Sequence, residues 1–135
     1  MQKTEDKIPV KNFCICFKRQ ANDVLKAKCF RDNLKIKTTY IKIQEKRVLI
    51  KSIIYNDTNE CLYSSIDRYI NYALSVIDSY TNLKIKFENK YEEYDLLNEN
   101  GLIDLILSEI PKRELNEFKI LLEMELKDIV DIMQN

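Results

Sequence analysis

The sequence predicts one α+β domain spanning residues 1–135, in which an N-terminal antiparallel β-meander of three or four strands packs against a central amphipathic helix and a C-terminal helix pair. Three observations predict this fold class. Apolar and polar residues alternate through much of 10–55, a helical apolar period runs through 59–80, and the densest apolar segment is 102–133. A chain of 135 residues is long enough to bury a single hydrophobic core.

Composition divides this domain into three parts. Residues 1–9 are polar and predict a loose arm, 10–55 predict a basic β-rich part, and 56–135 predict an acidic, mainly helical part. Residues 1–55 carry 14 Lys and Arg against 5 Asp and Glu, whereas 56–135 carry 8 against 17. The two halves therefore have net charges of +9 and −9, although the whole chain is neutral.

The meander is predicted from alternation and from β-branched residues. Phe13, Ile15 and Phe17 alternate with Cys14 and Cys16, which is the period-two pattern of a strand. The richest run of Ile and Val ends this part of the chain and predicts its strongest strand. The expected strands lie in the segments 10–17, 24–30, 34–43 and 48–55, and 24–30 also fits a single helical turn.

The central helix is predicted over 59–80, with Asp57 or Thr58 as its N-cap. Its polar face is rich in Ser and Asp, which makes this the cleanest amphipathic pattern in the chain. Its apolar face comprises Leu62, Ile66, Tyr69, Ile70, Ala73, Ile77 and Tyr80. One further strand is expected at 83–87, where Leu83, Ile85 and Phe87 alternate with lysines.

The C-terminal pair is predicted as helices at 102–110 and 112–133, separated by Pro111 and preceded by a turn at Gly101. The longer helix carries an apolar stripe with steps of three and four residues. That stripe comprises Leu115, Phe118, Leu122, Leu126, Ile129 and Met133, and Ile120, Leu121, Met124, Val130 and Ile132 widen it. An arc this wide either packs on the domain itself or leaves part of the helix for a dimer or a partner groove.

Several reaction classes are excluded by composition. The chain has no His and one Gly, which removes Ser–His and Cys–His nucleophiles, His-ligated metals and glycine-rich phosphate loops. Cys14, Cys16, Cys29 and Cys61 lack the spacing of a zinc knuckle and predict buried, reduced thiols. We therefore expect no metal, no cofactor and no enzymatic activity.

One acidic motif is weighed against this expectation. Asp78 with Glu88-Asn89-Lys90 resembles the carboxylate and lysine pattern of metal-dependent nucleases. Solvated surface charge is the favoured interpretation, because a chain with 33% charged residues contains such triplets by chance.

The expected location is the cytoplasm, without a membrane partner. No apolar run approaches the about 20 residues that span a bilayer, and the polar start MQKTEDKIPV is not a secretory signal.

The leading functional hypothesis is a non-catalytic protein-binding module. Heavy use of Lys, Ile and Asn, with almost no Gly, is typical of a small accessory protein of a phage or another mobile element, acting as an inhibitor, adaptor or assembly factor. Its acidic helical surface would bind a protein, with a basic nucleic-acid-handling protein as the expected type, or a second copy as a homodimer. The rim charges expected on that surface are Glu114, Glu117, Glu125 and Asp128.

The alternative hypothesis is a nucleic-acid-binding regulator that uses the basic N-terminal sheet. Lysines on strands would follow a phosphate backbone, and an exposed aromatic ring among them could stack on a base. The same lysines would also protect strand edges, which is a purely structural use. The residues expected to contact nucleic acid are Lys35, Lys37, Tyr40, Lys42, Lys46 and Arg47.

Overall fold

The computed structural model describes residues 7–55 and 64–134, and this part of the chain is mainly α-helical. Seven helices occur in the described residues: α1 (Val10–Lys18), α2 (Asp23–Asn33), α3 (Ile43–Ile54), α4 (Ser65–Tyr80), α5 (Lys90–Glu99), α6 (Leu102–Glu109) and α7 (Lys112–Gln134). The remaining regular elements are the strands β1 (Ile8–Pro9) and β2 (Leu83–Lys84), which pair in parallel with Ile8 opposite Leu83, and a 3-10 turn at Phe87–Asn89.

The predicted antiparallel meander is wrong, and with it the α+β class. Three of the four expected strand segments are helices α1, α2 and α3. The fourth, 34–43, is mainly irregular and contributes only an isolated antiparallel bridge between Ile36 and Thr81. The strand expected at 83–87 is limited to Leu83–Lys84. The sheet in the described residues therefore consists of two short parallel strands.

Helix α1 explains why alternation misled the prediction. Its buried side chains are Val10, Phe13, Cys14 and Phe17, which repeat at three and four residues, whereas Ile15 is exposed. A run of nine residues fits both the period of a strand and the period of a helix. Phe13, Ile15 and Phe17 alternate with other residues in the sequence in either case. Packing against the rest of the domain favours the helix, which buries Val10, Phe13, Cys14 and Phe17 on one face.

Helix α3 overrides a strong β-propensity in the same way. Its buried positions are Lys46, Ile50, Ile53 and Ile54, while the β-branched Val48 is exposed. A buried lysine in the stripe hides the helical period from sequence inspection. β-propensity is a weak preference that packing against a neighbouring element readily reverses.

The predicted helices in the second half lie close to their expected positions. The C-terminal pair is present as α6 and α7, and Gly101 before α6 adopts the left-handed conformation with φ 69°. In the central helix, Ser64 caps α4 by accepting a hydrogen bond from the backbone N–H of Asp67 at 3.2 Å. The expected caps Asp57 and Thr58, and the predicted helical residues 59–63, lie outside the described residues.

Helix α4 is the centre of the core. It contacts α3, α5, α6 and β2, and its residues Ala73, Leu74, Val76, Ile77 and Tyr80 are fully buried. Helix α7 packs against α3, and its Phe118 ring meets Tyr80 of α4. This arrangement leaves α7 on the surface of the domain, with one face available to solvent.

Candidate functional site

Helix α7 changes its environment at Phe118. Glu114 and Phe118 are 3% and 0% exposed, but no residue between 119 and 134 is buried. We call residues 119–134 the distal α7 segment. Its exposed large apolar side chains are Ile120, Met124, Val130, Ile132 and Met133. Sixteen residues of helix span about 24 Å, so the segment is long enough to form an interface.

The two faces of the distal α7 segment differ. Leu121, Leu122, Leu126 and Ile129 are partly buried and pack against the core. The opposite face is exposed and has charged residues at four-residue spacing, which places them in one row. That row is Lys119, Glu123, Lys127 and Asp131, and Ile120 and Met124 lie beside it.

The proximal part of α7 holds a buried ionic network. Lys46 Nζ lies 3.0 Å from Glu114 Oε1 and also contacts the Glu117 carboxylate. Glu114 Oε1 accepts further hydrogen bonds from Tyr80 Oη at 2.7 Å and from the backbone N–H of Ile41 at 3.1 Å. This network joins α3, α4 and α7 and surrounds the buried carboxylate with donors.

The electrostatics of the network follow from this geometry. Burial on its own raises the pKa of Glu114, but hydrogen bonds from Tyr80 and Ile41 and the Lys46 ammonium outweigh it, so the pKa is lowered. Burial on its own lowers the pKa of Lys46, but its hydrogen bonds to Glu117 and Glu114 reverse the shift and the pKa is raised. Both groups are therefore charged at neutral pH.

The four predicted rim charges do not form one surface. Glu114 is buried in the network, so the prediction that it is a rim charge is wrong. Glu117 is about half exposed but is paired with Lys46, and Glu125 is half-buried on the core side of the helix. Asp128 is exposed on the distal α7 segment.

The predicted nucleic-acid residues lie on an irregular connection and on α3, because the expected sheet is absent from the described residues. Tyr40 is exposed, but Lys46 is fully buried and points into the ionic network, so it cannot reach a phosphate. Lys46 Nζ also lies 4.8 Å from the centroid of the Tyr40 ring. The remaining four residues, Lys35, Lys37, Lys42 and Arg47, are all exposed.

Some charge is neutralised between the halves of the chain. Lys7 pairs with Asp78 at 3.3 Å, and Lys18 with Glu99 at 3.4 Å. Together with the Lys46 network, these ion pairs join the basic first half to the acidic second half within one domain.

A cleft of about 550 Å³ lies between α3, α4 and the 3-10 turn. Asp78, Glu88 and Lys90 all line it, so the fold brings the nuclease-like triplet together. Asp78 is already held by Lys7 and by the backbone N–H of Ile85, and Lys90 donates to Asn71 at 3.1 Å. Within residues 7–55 and 64–134, no group of three acidic or thiol side chains could hold a metal ion.

The sequence indicated the distal α7 segment as one of two alternatives, in which the wide apolar arc either packs on the domain or forms a dimer or partner groove. The apolar arc of this helix is too wide for one packing face, and the excess residues are those that the structure leaves exposed. Sequence inspection placed the interaction on acidic residues instead, two of which take part in the buried network.

Comparisons with known proteins add no family to this description: the chain matches no protein-family model, no curated protein and no solved structure. None of the helices in the described ranges is both long enough and apolar enough to cross a membrane.

Proposed function

We propose that this protein is a non-catalytic protein-binding module of the assembly type, that its binding element is the distal α7 segment, and that its partner is a second copy of the chain. The observation that carries the proposal is the exposure of Ile120 and Met124, each 57%, on a helix face that nothing in the described residues covers. Contiguous exposed apolar side chains rimmed by charge are typical of protein interfaces.

Charge complementarity favours a second copy over an unrelated protein. In an antiparallel pair of distal α7 segments centred near residue 125, Lys127 of one copy is level with Glu123 of the other. Lys119 is likewise level with Asp131. Such a pair is two-fold symmetric, and each opposite-charge contact occurs twice. Ile120 and Met124 would fill the seam between the helices, as in other helix-mediated interfaces.

Sedimentation velocity over a range of protein concentrations tests this proposal. The wild-type chain is expected to sediment as a dimer at high concentration. The double variant Ile120→Glu/Met124→Glu is expected to weaken dimerisation by more than about 100-fold, because it places four charges in an apolar seam. Val24→Glu is the matched control: it changes an exposed apolar residue on α2 and should leave dimerisation unchanged.

A charge exchange tests the antiparallel arrangement itself. Lys127→Glu is expected to raise the dimer Kd by roughly fivefold, because it sets two glutamates at the same level in each contact. Adding Glu123→Lys to that variant should restore the wild-type Kd. If the wild-type chain remains monomeric at every concentration, the partner is not a second copy. If the Lys127→Glu/Glu123→Lys variant does not recover the wild-type Kd, the helices are not paired in this antiparallel arrangement.

A second candidate function rests on the exposed cations Lys35, Lys37, Lys42 and Arg47. No ion pair joins any of these four to a described residue, so their charge faces solvent. This basic surface suits phosphate contacts. We expect Lys35→Ala/Lys37→Ala to remove about two phosphate contacts. The slope of log K for duplex DNA against log salt concentration, measured by fluorescence anisotropy, should therefore become shallower by about two. Absence of binding at low salt would remove this candidate.

A further inference from the structure

We infer that Cys16 and Cys29 form a redox modification site, in which a low-molecular-weight disulfide oxidises the two thiols to an intramolecular disulfide between α1 and α2. The observation that carries it is a distance of 3.6 Å between the two Sγ atoms. This inference is independent of the proposed dimer, since neither helix contains a residue of the distal α7 segment.

The helix pair holds the two thiols in place. Helices α1 and α2 are in contact and are joined by the short connection 19–22. The rings of Phe13 and Phe30 meet edge to face with their centroids 6.2 Å apart, which fixes the two helices against each other. A disulfide has an S–S bond of about 2.05 Å, so side-chain rotation and a small shift of the helices would close the gap.

The two cysteines have complementary environments. Cys16 is exposed, so a small oxidant can reach its sulfur. Cys29 is buried beside it and accepts a contact from Asn33 Nδ2 at 3.5 Å. Burial, and then the hydrogen bond with Cys16, raise the pKa of Cys29. A solvent-accessible thiol with a second thiol next to it is the arrangement of an attacking and a resolving cysteine.

The chemistry balances in two exchange steps. The Cys16 thiolate attacks one sulfur of the small disulfide, which forms a mixed disulfide and releases one small thiolate. The Cys29 thiolate then attacks the Cys16 sulfur, forming the protein disulfide and releasing the second small thiolate. The two protein thiols lose two protons and two electrons, and the small disulfide is reduced to two thiols.

Cys14 provides an internal comparison, because it lies on the same helix but faces the core. Its thiol is buried and donates to the carbonyl oxygen of Leu96 at 3.5 Å. Burial raises the pKa of Cys14 to about 11, which keeps it protonated at neutral pH. Cys14 is expected to stay reduced under conditions that oxidise Cys16, because its sulfur contacts the Leu96 carbonyl, whereas the Cys29 sulfur contacts the Cys16 sulfur.

The test is to equilibrate the full chain with oxidised glutathione, quench with an alkylating reagent and map the peptides by mass spectrometry. We expect a Cys16–Cys29 linked peptide in the wild type, reversed by excess reduced glutathione, with Cys14 alkylated as a free thiol. In Cys29→Ser the expected product is a glutathione adduct that persists on Cys16. In Cys16→Ser, which alters an exposed position and should fold normally, Cys29 should remain reduced.

Two results would overturn this inference. One is a stable glutathione adduct on wild-type Cys16 without a link to Cys29, which would mean that the buried thiol cannot resolve it. The other is a link from Cys16 to Cys14 or Cys61 in place of Cys29. Cys14→Ser serves as the matched control and should leave the yield of the Cys16–Cys29 link unchanged.

Discussion

Replacing Lys46 by methionine is expected to lower the free energy of unfolding by about 3–5 kcal/mol. The substitution keeps an unbranched side chain of similar length in the core, but it leaves the Glu114 carboxylate buried without its ammonium partner. Removing one member of a buried ion pair is costly because the remaining charge is neither solvated nor neutralised. Urea denaturation at neutral pH measures the loss.

Two variants distinguish this effect from a general loss of packing. Lys46→Met/Glu114→Gln should recover most of the lost stability, because a neutral amide oxygen still accepts from Tyr80 and Ile41. Lys51→Met, an exposed position on the same helix, should change stability by less than about 0.5 kcal/mol. Equal losses in the single and double variants would contradict an electrostatic origin.

The network also determines how the stability of the folded state changes with pH. Glu114 has a lowered pKa in the folded state, so its contribution is present above the ordinary glutamate value of 4.5 and is lost as pH falls through the folded pKa. Lys46 has a raised pKa, so its contribution is present below 10.5 and is lost as pH rises through the folded value. The difference in the free energy of unfolding between the wild type and Lys46→Met should therefore become smaller in acid.

Phe118→Ala is expected to cost about 3–5 kcal/mol of unfolding free energy. The ring is fully buried and packs edge to face on Tyr80 with the centroids 6.1 Å apart, so its removal leaves a cavity where α7 meets the core. Ile132→Ala in the same helix should cost less than about 0.5 kcal/mol, because that side chain is 74% exposed.

Urea denaturation of both variants at low protein concentration makes the comparison, because dilution separates folding from self-association. The two variants are expected to differ because Phe118 is buried in the core, whereas Ile132 lies on the exposed distal α7 segment. If Ile132→Ala proved as destabilising as Phe118→Ala, the distal α7 segment would be part of the core, and the proposed dimer surface would lose its basis.

Helices α4, α6 and α7 could be predicted from sequence because they are long or have clear ends, whereas α5 (Lys90–Glu99) was not predicted. Helix α7 repeats its apolar stripe over 23 residues, which no strand would do, and Gly101 and Pro111 separate the elements on either side of α6. The first half could not be predicted in this way. Its helices have 9 to 12 residues, and over such lengths Ile-rich and Phe-rich runs fit a strand and a helix equally well.

By itself the sequence determined the charge of each half, the absence of histidine chemistry and the helices of the C-terminal part, because these depend on residue type and local period. Only the tertiary structure decided which charges face solvent. Lys46 of α3 pairs with the buried Glu114 of α7 and with the half-exposed Glu117, which lies 71 residues further along the chain. Glu114 also accepts a hydrogen bond from Tyr80 of α4. A buried ion pair between distant residues has no local pattern, since burial and partner are both set by how the helices pack.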